Sequence, residues 1–328
     1  MTSRVAALVD AWLSRWVVEP RFVSRHPAER ASSLAATLRA LPVLSEADWF
    51  SSPTPLQPKH LTEGRWRGYA RELITWDSPN ILAARGLGVE VDTLGPAATR
   101  LFPVAAEAEQ RNGVWIFVHG WLGGHLSRDL RDWPFSALLD SYDLVHVALP
   151  GHGSRGTRPL QTWPTFPARN PFANALGLAT ASAELRQLVD WLRVRGYERI
   201  GVAATSIGAN VAALFASVSA GIDQLLLDRP LVSLSEPLRR TAVRRGGDYQ
   251  ALLTQLEAVY SVVDPLLRPL QLPSDRIHLL LGRADGIAGA AAGQALAEHW
   301  RVVPDWFEGG HVLPVGRRDL LLRHFMRL

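Results

Sequence analysis

The second half of this chain is built from short, uninterrupted apolar runs, each closed by a turn residue, and that rhythm restricts the fold more than any other feature. Val114–Val118 reads VWIFV and ends in His119-Gly120. Residues 144–149 read LVHVAL and end in Pro150-Gly151, and Ile200–Thr205 reads IGVAAT and ends at Ser206. Residues 225–227, 277–281 and 302–307 continue the series. A strand with one wet face alternates polar and apolar residues, whereas a strand buried on both faces does not. Between the runs lie helical patterns: Leu185, Leu188, Val189 and Leu192 share one face, and Ala209, Ala212, Ala213 and Ala216 make a smooth one. Strand and helix in alternation predict an α/β fold with a doubly wound, mostly parallel sheet covered on both sides. Ligands in such sheets sit at the carboxyl ends of the strands. His119, Ser206, Asp285 and His311 all fall there.

Composition removes several alternatives. The chain has 328 residues, 47% of them hydrophobic, enough for a sizeable core. It has no cysteine, so disulfides, thiolate catalysis and Cys-ligated zinc are excluded together. Net charge is only +4, and the arginines are scattered among acids instead of forming a basic stripe. That pattern argues against a nucleic-acid partner. No run reaches the ~18 apolar residues of a membrane-spanning helix. Asp10 and Arg15 interrupt the first apolar stretch, which does not read as a secretory signal, so a cytoplasmic location is expected.

The first 110 residues are less legible. Val5, Leu8, Val9, Trp12, Leu13 and Trp16 recur at helical spacing and predict an amphipathic helix that docks on the protein's own body or on a twin subunit. A homodimer through this helix is therefore a candidate assembly, and a membrane surface is the alternative occupant. A second helix is expected over residues 28–40 and strand structure over 65–77. These patterns divide the chain into 1–110, a helical extension with the first strands of the sheet, and 111–328, the core.

Ala204-Thr205-Ser206-Ile207-Gly208 lies between a buried run and an alanine-rich helix. A serine on such a strand-to-helix turn holds its hydroxyl up, provided the residues two before and two after it are small. The segment resembles the G-x-S-x-G nucleophile motif of the α/β-hydrolase superfamily, with Ala204 in place of the first glycine. His119-Gly120-Trp121-Leu122-Gly123-Gly124 resembles the superfamily's HG-x loop, and Leu149-Pro150-Gly151-His152-Gly153 its largely structural P-G-H-G turn. The resemblance runs from about Val114 to the end. It implies Ser206 as nucleophile, and backbone N–H groups of Trp121 and Ile207 as oxyanion donors. His311, in Phe307-Glu308-Gly309-Gly310-His311, stands where the superfamily places its base, and Asp285 stands where it places the acid, with Asp228 as rival. The implied chemistry is hydrolysis of a carboxylic ester with an apolar portion through an acyl-enzyme, without metal or cofactor. A lactonase, thioesterase or acyltransferase would use the same groups, and a non-catalytic binding protein is the reading from another class. Where the strand rhythm fails, at 229–274, Leu252, Leu253, Leu256, Val259, Tyr260 and Val263 form a helical stripe read as an inserted lid. Trp121, Leu122, Trp163, Phe166, Leu253 and Leu256 are the expected substrate-facing residues.

Overall fold

The computed structural model describes residues 2–50, 53–66, 69–79, 97–102, 113–139, 141–155 and 163–328. The chain opens with α1 (Thr2–Leu13), which continues through a π-helical stretch, Ser14–Val18, into a last turn, Glu19–Phe22. α2 (Pro27–Ala40) follows. The strands are β1 (His60–Trp66), β2 (Tyr69–Trp76), β3 (Ala97–Phe102), β4 (Val114–Val118), β5 (Asp143–Ala148), β6 (Ile200–Thr205), β7 (Gln224–Asp228), β8 (Ile277–Gly282) and β9 (Asp305–Phe307). Between and after them lie α3 (Leu126–Asp132), α4 (Pro171–Val194), α5 (Ile207–Val218), α6 (Glu236–Arg245), α7 (Asp248–Tyr260), α8 (Ala290–Trp300) and α9 (Arg317–Phe325).

All these strands form one sheet in the order β1-β2-β3-β5-β4-β6-β7-β8-β9. From β5 to β9 the pairings are parallel, while β1, β2 and β3 pair antiparallel with their neighbours and extend one edge. The sheet is mostly parallel and doubly wound, as its apolar runs require. Alternate residues of each run feed opposite cores. Val114, Ile116 and Val118 join Val202, Ala204, Leu227 and Leu281 under α4 and α5. Trp115 and Phe117 join Ala203, Leu226, Leu280 and Phe307 under α9. The expected break near residue 110 lies outside the described residues. The segment before it shares the sheet with the rest of the chain.

The apolar stripe of α1 docks only in part on the protein's own body, one of the partners expected for it: Val9 and Leu13 are half-buried. Val5, Leu8, Trp12 and Trp16 are exposed, Leu8 to 71%. The buried face carries Ala6, Asp10, Ser14 and Val18, with Asp10 fully enclosed. A carboxylate leaves water only where hydrogen bonds replace its hydration, and the loops that hold Gly286, His311 and Val312 supply them.

Within 229–274, the helical stripe departs from its expected role, while Leu231, Leu234 and Pro237 of the same segment line the pocket beside Ser206. Leu252 and Leu253 of α7 are buried against Ala31, Leu34, Leu238 and Ala242, so α2 and α7 bury each other's apolar stripes. No part of that stripe lies over Ser206. No helix among the described residues is long and apolar enough to cross a membrane.

Candidate active site

Ser206 leaves β6 at φ 56° and ψ −122°, a left-handed conformation that non-glycine residues rarely adopt. The turn is possible because Ala204 is small and fully buried, and because Gly208 has no side chain. A Cβ on Gly208 would lie 2.3 Å from the His119 carbonyl oxygen and 2.5 Å from that of Val118. The Ser206 side chain does not cap α5, which leaves its hydroxyl for another partner.

That partner is His311. Its Nε2 lies 2.9 Å from Ser206 Oγ, and its Nδ1 lies 2.9 Å from Asp285 Oδ2. The other oxygen of Asp285 accepts the backbone N–H groups of Ile287 at 2.9 Å and Ala288 at 2.8 Å. Burial alone would raise the Asp285 carboxyl; His311, Arg229 and the Ile287 N–H outweigh it and hold it below the usual carboxylate range. Asp228 does not reach His311. It is sealed in the core between Arg229 at 2.7 Å and Arg317 at 2.6 Å, with Thr205 donating at 3.1 Å. Despite its burial, those two guanidiniums lower its pKa to about 2.

The other loop histidines are structural. His119 bonds the Gly120 carbonyl through Nδ1 at 2.7 Å and accepts the Leu149 N–H on Nε2 at 3.0 Å. Burial, with His152 beside it, lowers its pKa to about 3, so the ring is neutral at physiological pH. His152 bonds the Pro150 carbonyl at 2.8 Å, and burial lowers it to about 4.

Next to Ser206 is an apolar pocket of about 150 Å³. Trp121, Leu122 and Ile207 line it together with Leu231, Leu234 and Pro237. Trp163 packs 5.7 Å from Trp121 but is itself largely exposed, and Phe166 is drawn into the main core; neither lines the pocket. Leu253 and Leu256 do not line it either, because α7 is held against α2. Part of the cover comes from 229–274, through Leu231, Leu234 and Pro237 and not through the helical stripe, and the N-terminal segment adds Leu13, Val17, Val18 and Phe22.

The same segment carries a residue that sequence reasoning used only to argue against a leader. Asp10 Oδ2 accepts the backbone N–H of His311 at 2.5 Å and that of Gly286 at 3.1 Å, while Oδ1 accepts from Val312 at 3.1 Å. One buried carboxylate thus ties α1 to both the His311 and the Asp285 loops. Gly310 permits this approach, since a Cβ there would lie 2.6 Å from Asp10 Oδ2. Arg229, whose guanidinium donates to the His311 carbonyl, braces the loop from the other side. The one available signal was an acid inside an apolar helical stretch, which marks either the wet face or a buried partner. Asp10→Ala should lower kcat about 10- to 100-fold with KM little changed for a reaction at Ser206 in which His311 takes part, because a small misplacement of that ring has costs of that order. A proportional loss in folded fraction, with normal kcat per folded molecule, would make Asp10 purely structural.

No protein-family model matches the chain. An uncharacterized protein of Mycobacterium tuberculosis, in strains H37Rv and CDC 1551, is 30% identical over 206 residues, which is 60% of this chain and 49% of that protein. The chain thus spans about half the length of the curated relatives it matches. Among solved structures, an acetyl xylan esterase from Paenibacillus superposes with a TM-score of 0.58 at 14% identity, covering 96% of this chain and 98% of that one. An acetyl xylan esterase from Thermoanaerobacterium gives 0.56 at 13% identity over 93% and 94%. A Pyrococcus furiosus esterase gives 0.53 at 15% identity over 84% and 97%. Likeness at this level of identity is likeness of fold, and with the strand order and the strained turn at Ser206 it places the chain in a known architecture: it is an α/β-hydrolase by fold.

Proposed function

We propose that the protein is a serine hydrolase that cleaves a carboxylic ester with a short apolar acyl group. The observation that carries this reading is the chain of two 2.9 Å contacts from Ser206 through His311 to Asp285, with Ser206 held on a strained turn beside an apolar pocket. In this reading His311 Nε2 takes the Ser206 proton as Oγ attacks the acyl carbonyl. Asp285 keeps the other imidazole proton on Nδ1 and stabilises the imidazolium. The backbone N–H groups of Trp121 and Ile207 receive the developing oxyanion, helped by the positive end of α5. His311 then returns the proton to the leaving group, and water attacks the acyl-enzyme by the same route. Esterase activity in the structural neighbours named above supports the class. Lactones and thioesters present the same carbonyl to the same groups.

The pocket is smaller than the roughly 300–1,000 Å³ typical of drug-sized ligand sites, so acyl length should be limited. On p-nitrophenyl esters, kcat/KM should rise over the first few carbons, each methylene being worth up to about 0.8 kcal/mol, and fall once the pocket is full. Val17→Asp should flatten that rise. A flat wild-type profile, or a Val17→Asp profile that keeps the rise, would remove the N-terminal segment from substrate binding.

A further inference from the structure

Beyond Phe22 and Leu234, which line both spaces, the pocket beside Ser206 adjoins a second and larger cleft of about 580 Å³. Its floor is apolar or weakly polar: Leu252, Leu256, Tyr260 and Asn174. Its rim is cationic. Arg25, Arg30 and Arg169 line it, together with His26, and no acidic residue among the described residues does. No ion pair to any of the three arginines occurs among the described residues. Their one internal tie is a bond from Arg30 Nη2 to the Arg169 carbonyl, 2.7 Å long, which brings the two segments together. Two helices also begin here, α2 at Pro27 and the long α4 at Pro171, and both turn their positive ends toward the rim.

Some arginines elsewhere on this surface meet acids: Arg244 meets Glu19, Arg239 meets Glu236 and Glu257, and Arg195 meets Glu72. Three guanidiniums that have no ion pair among the described residues share one concavity and repel each other, and an anion would relieve that repulsion. Guanidinium forks match the paired oxygens of phosphate and carboxylate groups.

Resting on the reading of Ser206 as nucleophile, we propose that this cleft binds an anionic group, phosphate or carboxylate, on the leaving-group half of the substrate. The small pocket takes the short acyl group, the ester lies at Ser206, and the remainder passes Phe22 and Leu234 to reach Arg25, Arg30 and Arg169. The substrate class is then a short-chain acyl ester of a negatively charged alcohol or thiol.

Three acetyl esters of similar size test this: acetylglycerol, its 3-phosphate, and acetylated glycolate. The wild type should favour one of the anionic esters over the neutral one by about tenfold or more in kcat/KM, and the preference should shrink between about 20 and 300 mM salt. Which of the two is favoured distinguishes phosphate from carboxylate. In Arg25→Glu/Arg169→Glu, whose two sites are exposed, that ratio should collapse toward one, mainly through KM of the anionic ester. Arg25→Ala/Arg169→Ala should give a smaller change in the same direction. A wild-type ratio near one, or a ratio that charge reversal leaves unmoved, overturns the proposal.

A binding measurement separates this from the hydrolase reading. Pyrophosphate or succinate should raise the melting temperature of Ser206→Ala protein by about 2 °C or more at millimolar concentration. The same protein carrying Arg25→Glu/Arg169→Glu should show no rise. If all esters are inert while this arginine-dependent protection persists, the cleft stands and the role given to Ser206 falls. If esters are cleaved without charge preference and neither probe protects, the cleft falls and the hydrolase reading stands.

Discussion

Ser206→Ala should lower kcat by about 10³-fold or more, since members of such a unit fail together, and should leave the melting temperature nearly unchanged. The Ser206 hydroxyl caps no helix, and its partner is His311 Nε2. Its removal therefore takes away the nucleophile without orphaning a structural bond. The backbone strain at φ 56° persists in the alanine variant, because Ala carries the same Cβ. Labelling with a fluorophosphonate probe should place its adduct on Ser206 by mass spectrometry and vanish in the variant. An adduct on another serine, or a variant within tenfold of wild type, would end the assignment.

The two buried aspartates near the site should fail in different ways. Asp285→Asn should lower kcat by about 10³- to 10⁴-fold at little cost in folding, since an asparagine in this position can hold the imidazole in the wrong tautomer. Its remaining oxygen can still accept the Ile287 and Ala288 N–H groups that order the loop. Asp228→Asn should act on stability instead. It leaves the buried guanidiniums of Arg229 and Arg317 facing a neutral amide, and breaking one partner of a buried ion pair costs about 3–5 kcal/mol. Activity per folded molecule should stay within about tenfold, because Asp228 does not touch His311 itself. The sign of the pH dependence follows from the lowered pKa of Asp228, about 2. Its contribution to stability is present above its unfolded value, near 3.9, and is lost as pH falls toward 2. Thermal melts and kcat on both variants decide the matter: the opposite ranking would make Asp228 the acid.

Much of this could be read from the chain because each inference used a local rule. Continuous apolar runs of five or six residues predict strands covered on both faces, and Val114–Val118 and Ile200–Thr205 form them with those bounds. The demand for small neighbours around a serine on a sharp turn is likewise local, and Ala204 and Gly208 meet it without reference to distant residues. The order of runs put Ser206, Asp285 and His311 at one end of the sheet, since parallel strands all present their carboxyl ends there.

Where inference failed, the deciding partners were far apart in sequence. Periodicity identified the amphipathic stripes from Val5 to Trp16 and from Leu252 to Val263 but not what each would meet. For α7 the partner was α2, more than 200 residues earlier, so Leu253 went to a helix interface instead of a substrate pocket. For α1 the apolar stripe did not show that Asp10, which lies between its members, would turn inward. Three backbone N–H groups at 286, 311 and 312 need acceptors when their loops are covered, and Asp10 supplies both of its oxygens. An unpaired buried N–H group or carboxylate is more expensive than an exposed leucine or tryptophan, so the helix turns Asp10 in and leaves Leu8, Trp12 and Trp16 in water. The sequence by itself determined the parallel strands from Val114 onward and the order of the turns that close them, because those follow from neighbours along the chain. Only the tertiary structure decided what covers Ser206 and where the arginines gather, because both depend on which long-range hydrogen bonds had to be made.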